Sequence, residues 1–384
     1  IYNTSKIMKI VFTGGGSGGH FYPLMAIAEA IKNQIEEQNI VDAKLYYIAD
    51  KAYDEKALFV NELEFVSVPT GKMRLYFSIQ NFFDLFKTFG ALFNALLKMI
   101  QIYPDVVISK GGYPAFPVVV AAWILRIPVV MHESDMAAGR VNKITSKFAK
   151  RIAVSFPNSI NIFGKDKITA WSGQPIRKEM WETSGEGTRL FFKIEDKAPI
   201  VVIYGGSKGS EIINSAVFEI LKDLVEDFQI IHQVGTLNEK TANSRAQFAL
   251  QESQYKNRYR AIGFFNPLML KMLGASADLF ITRGGAGSIF DMALWNKPAI
   301  IIPITNSNGN HQRLNSYSYA ATGAAIVIEE KNLEPNVFLA EIRRIMSDDA
   351  LRKKMSQSGE VFVREDAAEV IAKEALSIAL KHEK

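Results

Sequence analysis

The sequence of 384 residues contains no cysteine and only five histidines. The absence of cysteine excludes disulfide bonds, thiolate metal ligands and thiol redox chemistry. Such a composition is typical of a reducing compartment. No apolar export signal precedes the first predicted strand, and we therefore expect the protein to stay in the cytoplasm.

Long apolar runs are also scarce. The longest, YPAFPVVVAAWILRIPVVM (113–131), has enough residues to span a membrane, but it includes Arg126 and three prolines. Proline interrupts a helix, and a spanning segment needs about 20 predominantly apolar residues. We expect this run to form a buried helix followed by a strand.

Acidic residues are few in one part of the chain. Residues 1–171 hold 19 of the 45 Lys and Arg residues but only 14 of the 40 Asp and Glu residues, so the net charge of +5 comes entirely from this half. Residues 66–151 contain eleven basic and four acidic residues. This excess favours an anionic partner such as phosphate groups, nucleic acid or acidic lipid, although scattered solvated lysines would give the same count.

Short apolar runs alternate with helical patterns along the chain. The alternation starts at KIVFTG (9–14), continues to about Ile152 and begins again at PIVVIYGG (199–206). It is typical of βαβ units on parallel sheets. We predict the α/β class with two Rossmann-like, doubly wound domains, residues 1–171 and 172–360. A C-terminal helix within 361–384 is expected to pack back on the first domain.

Three glycine-rich loops follow predicted strands: GGGSGGH (14–20), GGSKGS (205–210) and RGGAGS (283–288). Ligands of open parallel sheets bind outside the carboxyl ends of the strands. Glycine allows close approach of backbone amides, and a helix that starts after the loop favours an anion. One such loop is equally explained as a tight turn, but three in two domains predict a cleft for a phosphorylated ligand.

The first loop also fits the G-x-G-x-x-G pattern of dinucleotide-binding proteins. The acidic residue expected about 20 positions later has only Asp50 as a candidate, so a nicotinamide or flavin dinucleotide stays the second interpretation.

His20 stands where the next helix is expected to begin. Its imidazole could accept a proton there, and a structural helix cap is the alternative.

Seven segments carry a more specific resemblance: GGGSGGH, SKGGYPAFP, HESDMAAGRVNK, SGQPIR, GGSKGS, RGGAGSIFDMALWNKPAIIIP and HQRLNS. Their order resembles that of the MurG family, the bacterial N-acetylglucosaminyltransferases of peptidoglycan synthesis, over about residues 9–330. The resemblance implies the GT-B glycosyltransferase fold, in which two Rossmann-like domains face a cleft. It also implies inverting transfer of N-acetylglucosamine from UDP-N-acetylglucosamine to the muramyl 4-hydroxyl of lipid I, which yields lipid II.

The resemblance implies a set of donor-binding residues. Arg283 and Ser207 correspond to residues at the donor diphosphate, with Arg177 close by, and a guanidinium fork suits phosphate oxygens. Asp291 stands where the family has a ribose-binding glutamate, a departure that shortens the side chain by one methylene. The remaining implied donor positions are Ser17, Gly18, Gly19, Asp135, the backbone of Phe264 and Phe265 at the uracil edge, Gly285, Ala286, His311, and the sugar-reading amides Gln312 and Asn315.

The acceptor side is implied in the same way. Gly14, Gly15, Gly16, Tyr113 and Asn142 fall on family positions that bind the lipid acceptor. For the catalytic base we favour His20, followed by Asp135 and Glu133. Asp135 stands where many members have asparagine, and its charge makes it a second candidate. No DxD-like metal motif is convincing, so we expect no metal and no cofactor.

The segment 72–102 combines aromatic and basic residues. At helical spacing Phe82, Phe86, Phe89, Phe93, Leu96 and Ile100 form one stripe, which we interpret as the core face. A second group lies outside that stripe and suits an anionic membrane surface: Lys72, Arg74, Tyr76, Phe77, Ile79 and Phe83. Packing against the core alone is the alternative. The expected location is thus peripheral, on the cytoplasmic face of the cell membrane.

The expected partners are UDP-N-acetylglucosamine, the undecaprenyl-pyrophosphoryl-muramyl-pentapeptide lipid, the anionic membrane and proteins of cell-wall synthesis and division. Nucleic acid is not expected, because the aromatics of the basic region are concentrated in one helix and do not form a stacking platform on strands. Other functions stay open at this point. They are sugar transfer to a diacylglycerol, epimerisation of a UDP-sugar, and a non-catalytic nucleotide-sugar-binding subunit.

Overall fold

The computed structural model describes residues 7–37, 43–70, 79–164, 168–194, 197–206, 208–305 and 307–382. The chain divides into two compact units. The first contains residues 1–177 together with 364–384, and the second contains residues 178–363. The first unit is thus assembled from both ends of the chain.

The first unit is built on a sheet with these strands: β1 (Met8–Gly14), β2 (Ala43–Ala49), β3 (Leu63–Ser67), β4 (Val106–Gly111), β5 (Val129–Glu133), β6 (Arg151–Val154) and β7 (Thr169–Trp171). Within the described residues their order is β3-β2-β1-β4-β5-β6-β7, and all neighbours are parallel. The central strands are buried along nearly their whole length, as expected of a sheet covered by helices on both faces.

The helices of the first unit are α1 (Gly18–Glu37), α2 (Glu55–Val60), α3 (Ile79–Ile102), α4 (Ala115–Ile124), α5 (Arg140–Thr145) and α15 (Ala367–His382). Helix α1 begins at Gly18, two residues before the start expected at His20. The reason is that the carbonyl of Ser17 accepts hydrogen bonds from the N–H groups of His20 and Phe21. Helix α15 packs against α1, and its Ile371 and Ala375 belong to the same core as Phe21.

Helix α3 corrects one expectation. Of the stripe assigned to the core, Phe89, Phe93 and Ile100 are exposed, the two aromatics by 64% and 65%. Leu96 is partly buried and packs against the core, as predicted. The buried face instead carries Ala91, Ala95 and Met99. Small residues let the helix backbone approach its neighbours closely, so the aromatic stripe is left on the surface. The same segment contains both stripes at helical spacing, and periodicity alone does not choose between them.

The second unit has the strands β8 (Ile200–Tyr204), β9 (Gln229–Gln233), β10 (Tyr259–Ile262), β11 (Leu279–Thr282), β12 (Ala299–Ile301) and β13 (Ala325–Val327). Their order in the described part of the chain is β10-β9-β8-β11-β12-β13, again all parallel. The helices are α6 (Thr188–Phe192), α7 (Glu211–Glu219), α8 (Leu221–Asp227), α9 (Glu239–Ala249), α10 (Pro267–Ser276), α11 (Ala286–Leu294), α12 (His311–Ala320), α13 (Pro335–Ser347) and α14 (Asp349–Ser358).

The strand order reverses at one point in each sheet, between β1 and β4 and between β8 and β11. Gly14 is in register with Gly111, and Tyr204 is in register with Thr282. The glycine loops that follow these four strands therefore emerge at the two switch points, where open α/β sheets bind their ligands. The predicted fold class, two doubly wound parallel-sheet domains, is confirmed.

Candidate functional site

The first glycine loop connects β1 to α1. Gly14 and Gly15 are buried, whereas Gly16 is exposed and adopts a positive φ of 89°. The hydroxyl of Tyr47, from β2, donates a hydrogen bond to the carbonyl of Gly14 and fixes the base of the loop. Gly18 and Gly19 form the first turn of α1, and a Cβ on Gly18 would lie 3.0 Å from the hydroxyl of Tyr53. The loop therefore presents backbone amides at a helix N-terminus, a favourable place for an anion.

His20 lies in the first turn of α1, half-buried at the end of this loop. Its Nδ1 is 2.9 Å from Oγ of Ser17. When Nδ1 carries the proton and donates it to Ser17, Nε2 is the nitrogen that can accept a proton. Ser17, predicted as a donor-binding residue, thus also orients the favoured base.

A further glycine pair, Gly111 and Gly112 at the end of β4, packs against the first glycine loop. Gly111 and Gly112 have φ values of 82° and 81°, which residues with a side chain rarely adopt. A Cβ on Gly112 would lie 2.6 Å from the carbonyl oxygen of Gly15, so only glycine permits this approach. Tyr113 follows, and its hydroxyl donates a 2.7 Å hydrogen bond to Asp50.

Glu133 is the centre of a hydrogen-bond network at the end of β5. It is 4% exposed and accepts hydrogen bonds from the backbone N–H groups of Asp135 (3.1 Å) and Gly139 (3.0 Å) and from Nδ2 of Asn142 (2.9 Å). Burial raises the pKa of Glu133, although Lys110 and the donated hydrogen bonds oppose the shift. The carboxylate is engaged by its own loop, so its geometry suits a structural support better than a free base.

Two buried ionisable groups beside Glu133 were not singled out from the sequence. Lys110 is 2% exposed, and burial lowers its pKa against the opposing charges of Glu133 and Asp135. His132 is fully buried; burial and the nearby Lys110 hold its pKa well below the ordinary value, so the ring is neutral. The signal was present, since a lysine between an apolar strand and a glycine pair is unusual, but burial could not be inferred from one sequence.

Arg177 belongs to the first unit, and its guanidinium carbon lies 4.1 Å from the ring centre of Tyr22. The hydroxyl of Tyr22 donates to Asp54 at 3.3 Å, and Asp54 also caps α2. Arg177 is therefore held by a cation–π contact near the start of α1. The structure places it in a different unit from Arg283, beside which it was predicted to act.

Arg283, at the end of β11, is 8% exposed and surrounded by acceptors. Its Nη1 donates to Oε1 of Glu330 at 2.7 Å and to the carbonyl of Ile302 at 3.0 Å, and its Nη2 donates to Oγ of Ser210 at 2.5 Å. Burial acts to raise the pKa of Glu330, but hydrogen bonds from Thr305 and Arg283 outweigh it and the pKa is lowered. Arg283 is thus anchored in one orientation. Ser207, predicted beside it, lies outside the described residues.

Gln233 links two loops of the second unit. Its Nε2 donates to the carbonyl of Gly206 at 2.7 Å, and its Oε1 accepts from the backbone N–H of Phe265 at 2.7 Å. Phe265 is buried and its N–H is engaged, whereas Phe264 is 47% exposed. Of the two residues predicted at the uracil edge, Phe264 is therefore the one with an accessible surface. Gln233 was missed, although a polar residue at the end of the apolar strand FQIIHQVG was a possible signal.

The remaining residues predicted to bind the donor lie on α11 and α12. Gly285 and Ala286 form its N-terminus, and Asp291 is half-buried on the helix. Asn315 is fully buried and donates to the carbonyl of Gly284 at 3.1 Å, so it supports the RGGAG loop. Two further residues lie at the start of α12, where the side chain of Gln312 accepts from the N–H of Ile304 at 3.2 Å and His311 is half-buried.

Metal-ligating clusters are absent from the described part of the chain, where no group of three or more His, Asp or Glu side chains could hold an ion. The candidate phosphate-binding groups in that part of the chain are backbone amides, hydroxyls and guanidinium groups. Of the predicted membrane residues, Lys72, Arg74, Tyr76 and Phe77 lie outside the described residues, as do the side chains of Ile79 and Phe83.

Comparison with known proteins identifies the family. The sequence matches the glycosyltransferase family 28 N-terminal domain over residues 10–154 and the family 28 C-terminal domain over residues 200–372. A Clostridium perfringens (strain SM101) protein is 34% identical over 342 residues, 88% of this chain and 90% of that protein. A Treponema denticola protein is 29% identical over 376 residues, 94% of this chain and 96% of that protein.

Both relatives are named UDP-N-acetylglucosamine--N-acetylmuramyl-(pentapeptide) pyrophosphoryl-undecaprenol N-acetylglucosamine transferase. The crystal structure of Acinetobacter baumannii MurG has a similar fold, with a TM-score of 0.70 at 22% identity over 97% of this chain and 100% of that one. Since the family match covers most of the chain, the protein belongs to glycosyltransferase family 28 and, within it, to the MurG family of N-acetylglucosamine transferases.

Proposed function

We propose that this glycosyltransferase moves N-acetylglucosamine from UDP-N-acetylglucosamine to the 4-hydroxyl of the muramyl sugar of undecaprenyl-pyrophosphoryl-N-acetylmuramyl-pentapeptide. The main support is the match to relatives named for this reaction over 88% to 94% of the chain. The glycine loops at the switch points of both sheets agree with two ligands that each carry a diphosphate.

The second unit would bind the donor. Arg283 contacts Ser210, the N-cap residue of α7. It also lies just before the N-terminus of α11, which is formed by Gly285 and Ala286. Helix N-termini and a fixed guanidinium stabilise the charge that grows on a leaving diphosphate. Because Glu330 and Ser210 already hold Arg283, no reorientation of this side chain is needed when UDP departs.

The ribose and the sugar would be read by separate side chains. Asp291 would accept hydrogen bonds from the ribose hydroxyls, and the exposed Phe264 would lie beside the uracil. Gln312 and His311, at the start of α12, would contact the hydroxyls of the transferred sugar. An amide both donates and accepts, so a sugar epimer would leave one polar group unpaired.

The first unit would bind the acceptor and supply the base. The loops Gly14–Gly16 and Gly111–Tyr113 would hold the acceptor diphosphate, and His20 would take the proton of the attacking hydroxyl on Nε2. Ser17 favours this role because it can hold the proton of Nδ1. Asp135 and Glu133 rank behind His20, and Glu133 least, because it is buried and accepts three hydrogen bonds.

The reaction is a single displacement. The acceptor oxygen forms a bond to the anomeric carbon of the α-linked donor, and the bond from that carbon to the diphosphate oxygen breaks. The electron pair leaves with UDP, and the hydroxyl proton passes to His20. Inversion at the anomeric carbon gives a β linkage.

A peripheral membrane location on the cytoplasmic side is part of the proposal. Within the described residues, no helix is both long and apolar enough to cross a membrane. The exposed members of the α3 stripe, Phe89, Phe93 and Ile100, together with the neighbouring Leu97, offer an apolar surface. Helix α4, which packs against α3, adds Trp123 at 55% exposure. Basic residues on the same unit suit anionic lipid headgroups: Lys98, Arg126, Lys143, Lys147 and Lys150.

Radiolabelled sugar transfer tests the proposal directly. The protein is incubated with UDP-[¹⁴C]N-acetylglucosamine and with a synthetic lipid I analogue, with diacylglycerol or with neither, and lipid and nucleotide products are separated. We expect label in the lipid only when the muramyl-pyrophosphoryl acceptor is present. Conversion of the UDP-sugar to an epimer without acceptor, or transfer to diacylglycerol in its place, would contradict the proposal.

A further inference from the structure

Asp50 and Tyr113 come from different elements of the first unit. Asp50 follows β2, and Tyr113 lies between β4 and α4. The hydroxyl of Tyr113 donates a 2.7 Å hydrogen bond to Oδ2 of Asp50. Asp50 is half-buried and makes this contact at the carboxyl edge of the sheet, beside the first glycine loop.

The ring of Tyr113 forms one wall of that loop. A Cβ placed on Gly16 would lie 3.1 Å from Cε1 of Tyr113, which means that the ring is in van der Waals contact with the loop backbone. The two preceding residues have positive φ and fix the direction in which the chain enters Tyr113. The hydroxyl of Tyr47 binds the carbonyl of Gly14 on the same loop. The loop is thus fixed by two tyrosines, and Asp50 fixes one of them.

The protonation of Tyr113 defines what the pair can do. Burial and the hydrogen bond to Asp50 raise the pKa of Tyr113 to about 12, so the phenol keeps its proton at neutral pH. That proton is committed to Asp50, and the phenol oxygen can still accept a hydrogen bond from a ligand. Tyr113 therefore does not act as a base; it contributes a surface and one acceptor.

We propose that Asp50 is a positioning residue for the acceptor substrate, acting through Tyr113 on the first glycine loop. The inference rests on the proposed function, since it concerns binding of the lipid acceptor. Asp50 does not need to touch the substrate, and it has no part in binding the UDP-sugar. Its carboxylate works as a hydrogen-bond acceptor, so an amide oxygen in the same place should replace it.

A double-mutant cycle tests this with the full-length protein. Steady-state constants for a lipid I analogue and for UDP-N-acetylglucosamine are measured for D50A, D50N, Y113F and D50A/Y113F. We expect D50A to lower kcat/KM for the acceptor about tenfold, mainly through KM, because one hydrogen bond that orients the ring is lost. D50N should stay within about twofold of wild type, and KM for the UDP-sugar should not change.

The cycle has one decisive comparison. On the Y113F background the further change D50A should alter kcat/KM by less than about twofold, because its partner is already gone. Additive losses, or a loss in D50N as large as in D50A, would overturn the inference. E64Q, on the exposed face of β3, serves as the matched carboxylate control, and thermal unfolding of each variant verifies folding. Absence of sugar transfer by the wild type would contradict the proposed function instead.

Discussion

The buried Arg283 forms an ion pair with the partly buried Glu330, with 2.7 Å between Nη1 and Oε1 and side-chain exposures of 9% and 13%. Ser210 and the carbonyl of Ile302 also accept hydrogen bonds from the guanidinium. The arginine that the family resemblance assigns to the donor diphosphate is therefore held by the protein itself. A group fixed in this way contributes to a transition state without the cost of ordering it during the reaction.

Removal of Glu330 should destabilise the second unit. Glu330→Ala leaves a buried guanidinium without its counter-charge, and we expect the free energy of unfolding to fall by about 3 kcal/mol. Glu329→Ala is the matched control, because Glu329 pairs with the half-exposed Arg313 and its loss should cost about 1 kcal/mol. Urea unfolding at pH 7.5 measures both. Equal losses in the two variants would contradict the special role of the buried pair.

Replacement of His20 should impair chemistry without weakening nucleotide binding. If Nε2 of His20 accepts the acceptor proton, His20→Ala should lower kcat by about 10² to 10⁴. Ser17→Ala should lower it about tenfold, since Nδ1 loses the hydroxyl 2.9 Å away. Asp135→Asn is the control and should keep kcat within about threefold of wild type. A calorimetric titration with UDP should give the same Kd for His20→Ala as for wild type.

The opposite ranking would identify another base. If Asp135→Asn lost more activity than His20→Ala, the aspartate would be the proton acceptor, and the pairing of Ser17 with His20 would be structural. A kcat for His20→Ala above about one tenth of the wild-type value would alone be enough to exclude His20 as the catalytic base.

The aromatic stripe of α3 should anchor the protein to anionic vesicles. Phe93 is 65% exposed, and Phe93→Asp replaces an apolar contact by a charge repelled by the membrane. We expect the partition coefficient for phosphatidylglycerol vesicles to fall at least about tenfold, since burial of an aromatic side chain contributes about 1.5–3 kcal/mol. Phe248→Asp, at a 76% exposed site of the second unit, is the matched control. Equal sedimentation with neutral and anionic vesicles would reject the membrane surface.

Chelation should leave the reaction unaffected. The sequence has no DxD-like motif, and the groups proposed to neutralise the leaving diphosphate are Arg283, Ser210 and backbone amides at the start of α11. Initial rates with 10-fold excess EDTA over any added divalent ion should therefore stay within about twofold of the untreated enzyme. Abolition by EDTA together with rescue by Mg²⁺ or Mn²⁺ would show that a cation performs this task.

The buried histidine of the second unit should make stability depend on pH. Burial lowers the pKa of His232 to about 3, and its Nδ1 lies 3.0 Å from the hydroxyl of Tyr259. Between pH 6.5 and 3 the unfolded chain binds a proton that the folded protein excludes, so stability falls as the pH is lowered. The slope is about 1.4 kcal/mol per pH unit. His232→Gln removes this titration while it keeps a polar side chain.

The measurement is a difference between two proteins. Urea unfolding of wild type and His232→Gln at pH 7.5, 6.5 and 5.5 isolates the histidine from all other titrating groups. The difference in unfolding free energy between wild type and His232→Gln should change little between pH 7.5 and 6.5. At pH 5.5 it should differ from its value at pH 7.5 by about 1.4 kcal/mol, because the wild type loses stability. Parallel curves throughout would show that His232 titrates equally in the folded and unfolded states.

The strands and glycine loops were predictable because their determinants are local. KIVFTG and FQIIHQVG are apolar, β-branched runs bounded by glycine, and the structure places β1 and β9 there. The partners of the site residues were not predictable. Glu330 lies 47 positions from Arg283, and Gln233 lies 32 positions from Phe265. Such pairs depend on how helices and strands stack, which no window of sequence records.

Helix α3 shows a different limit. Its two stripes have the same period, and the structure buries the one that contains Ala91, Ala95 and Met99. The larger aromatic stripe was the more hydrophobic and therefore the more obvious core. A surface that binds lipid resembles a core in sequence, since both consist of apolar side chains at helical spacing.

Helix α15 packs into the same core as β1 and α1. It contributes Ala368, Ile371, Ala372, Ala375 and Leu376. Residues 178–363 are consequently a continuous insertion within the first unit. A nonsense mutation or a proteolytic cut near residue 364 would thus remove α15 and destabilise the first unit, most of which is residues 1–177. The inserted half, by contrast, could be excised and expressed as one uninterrupted reading frame.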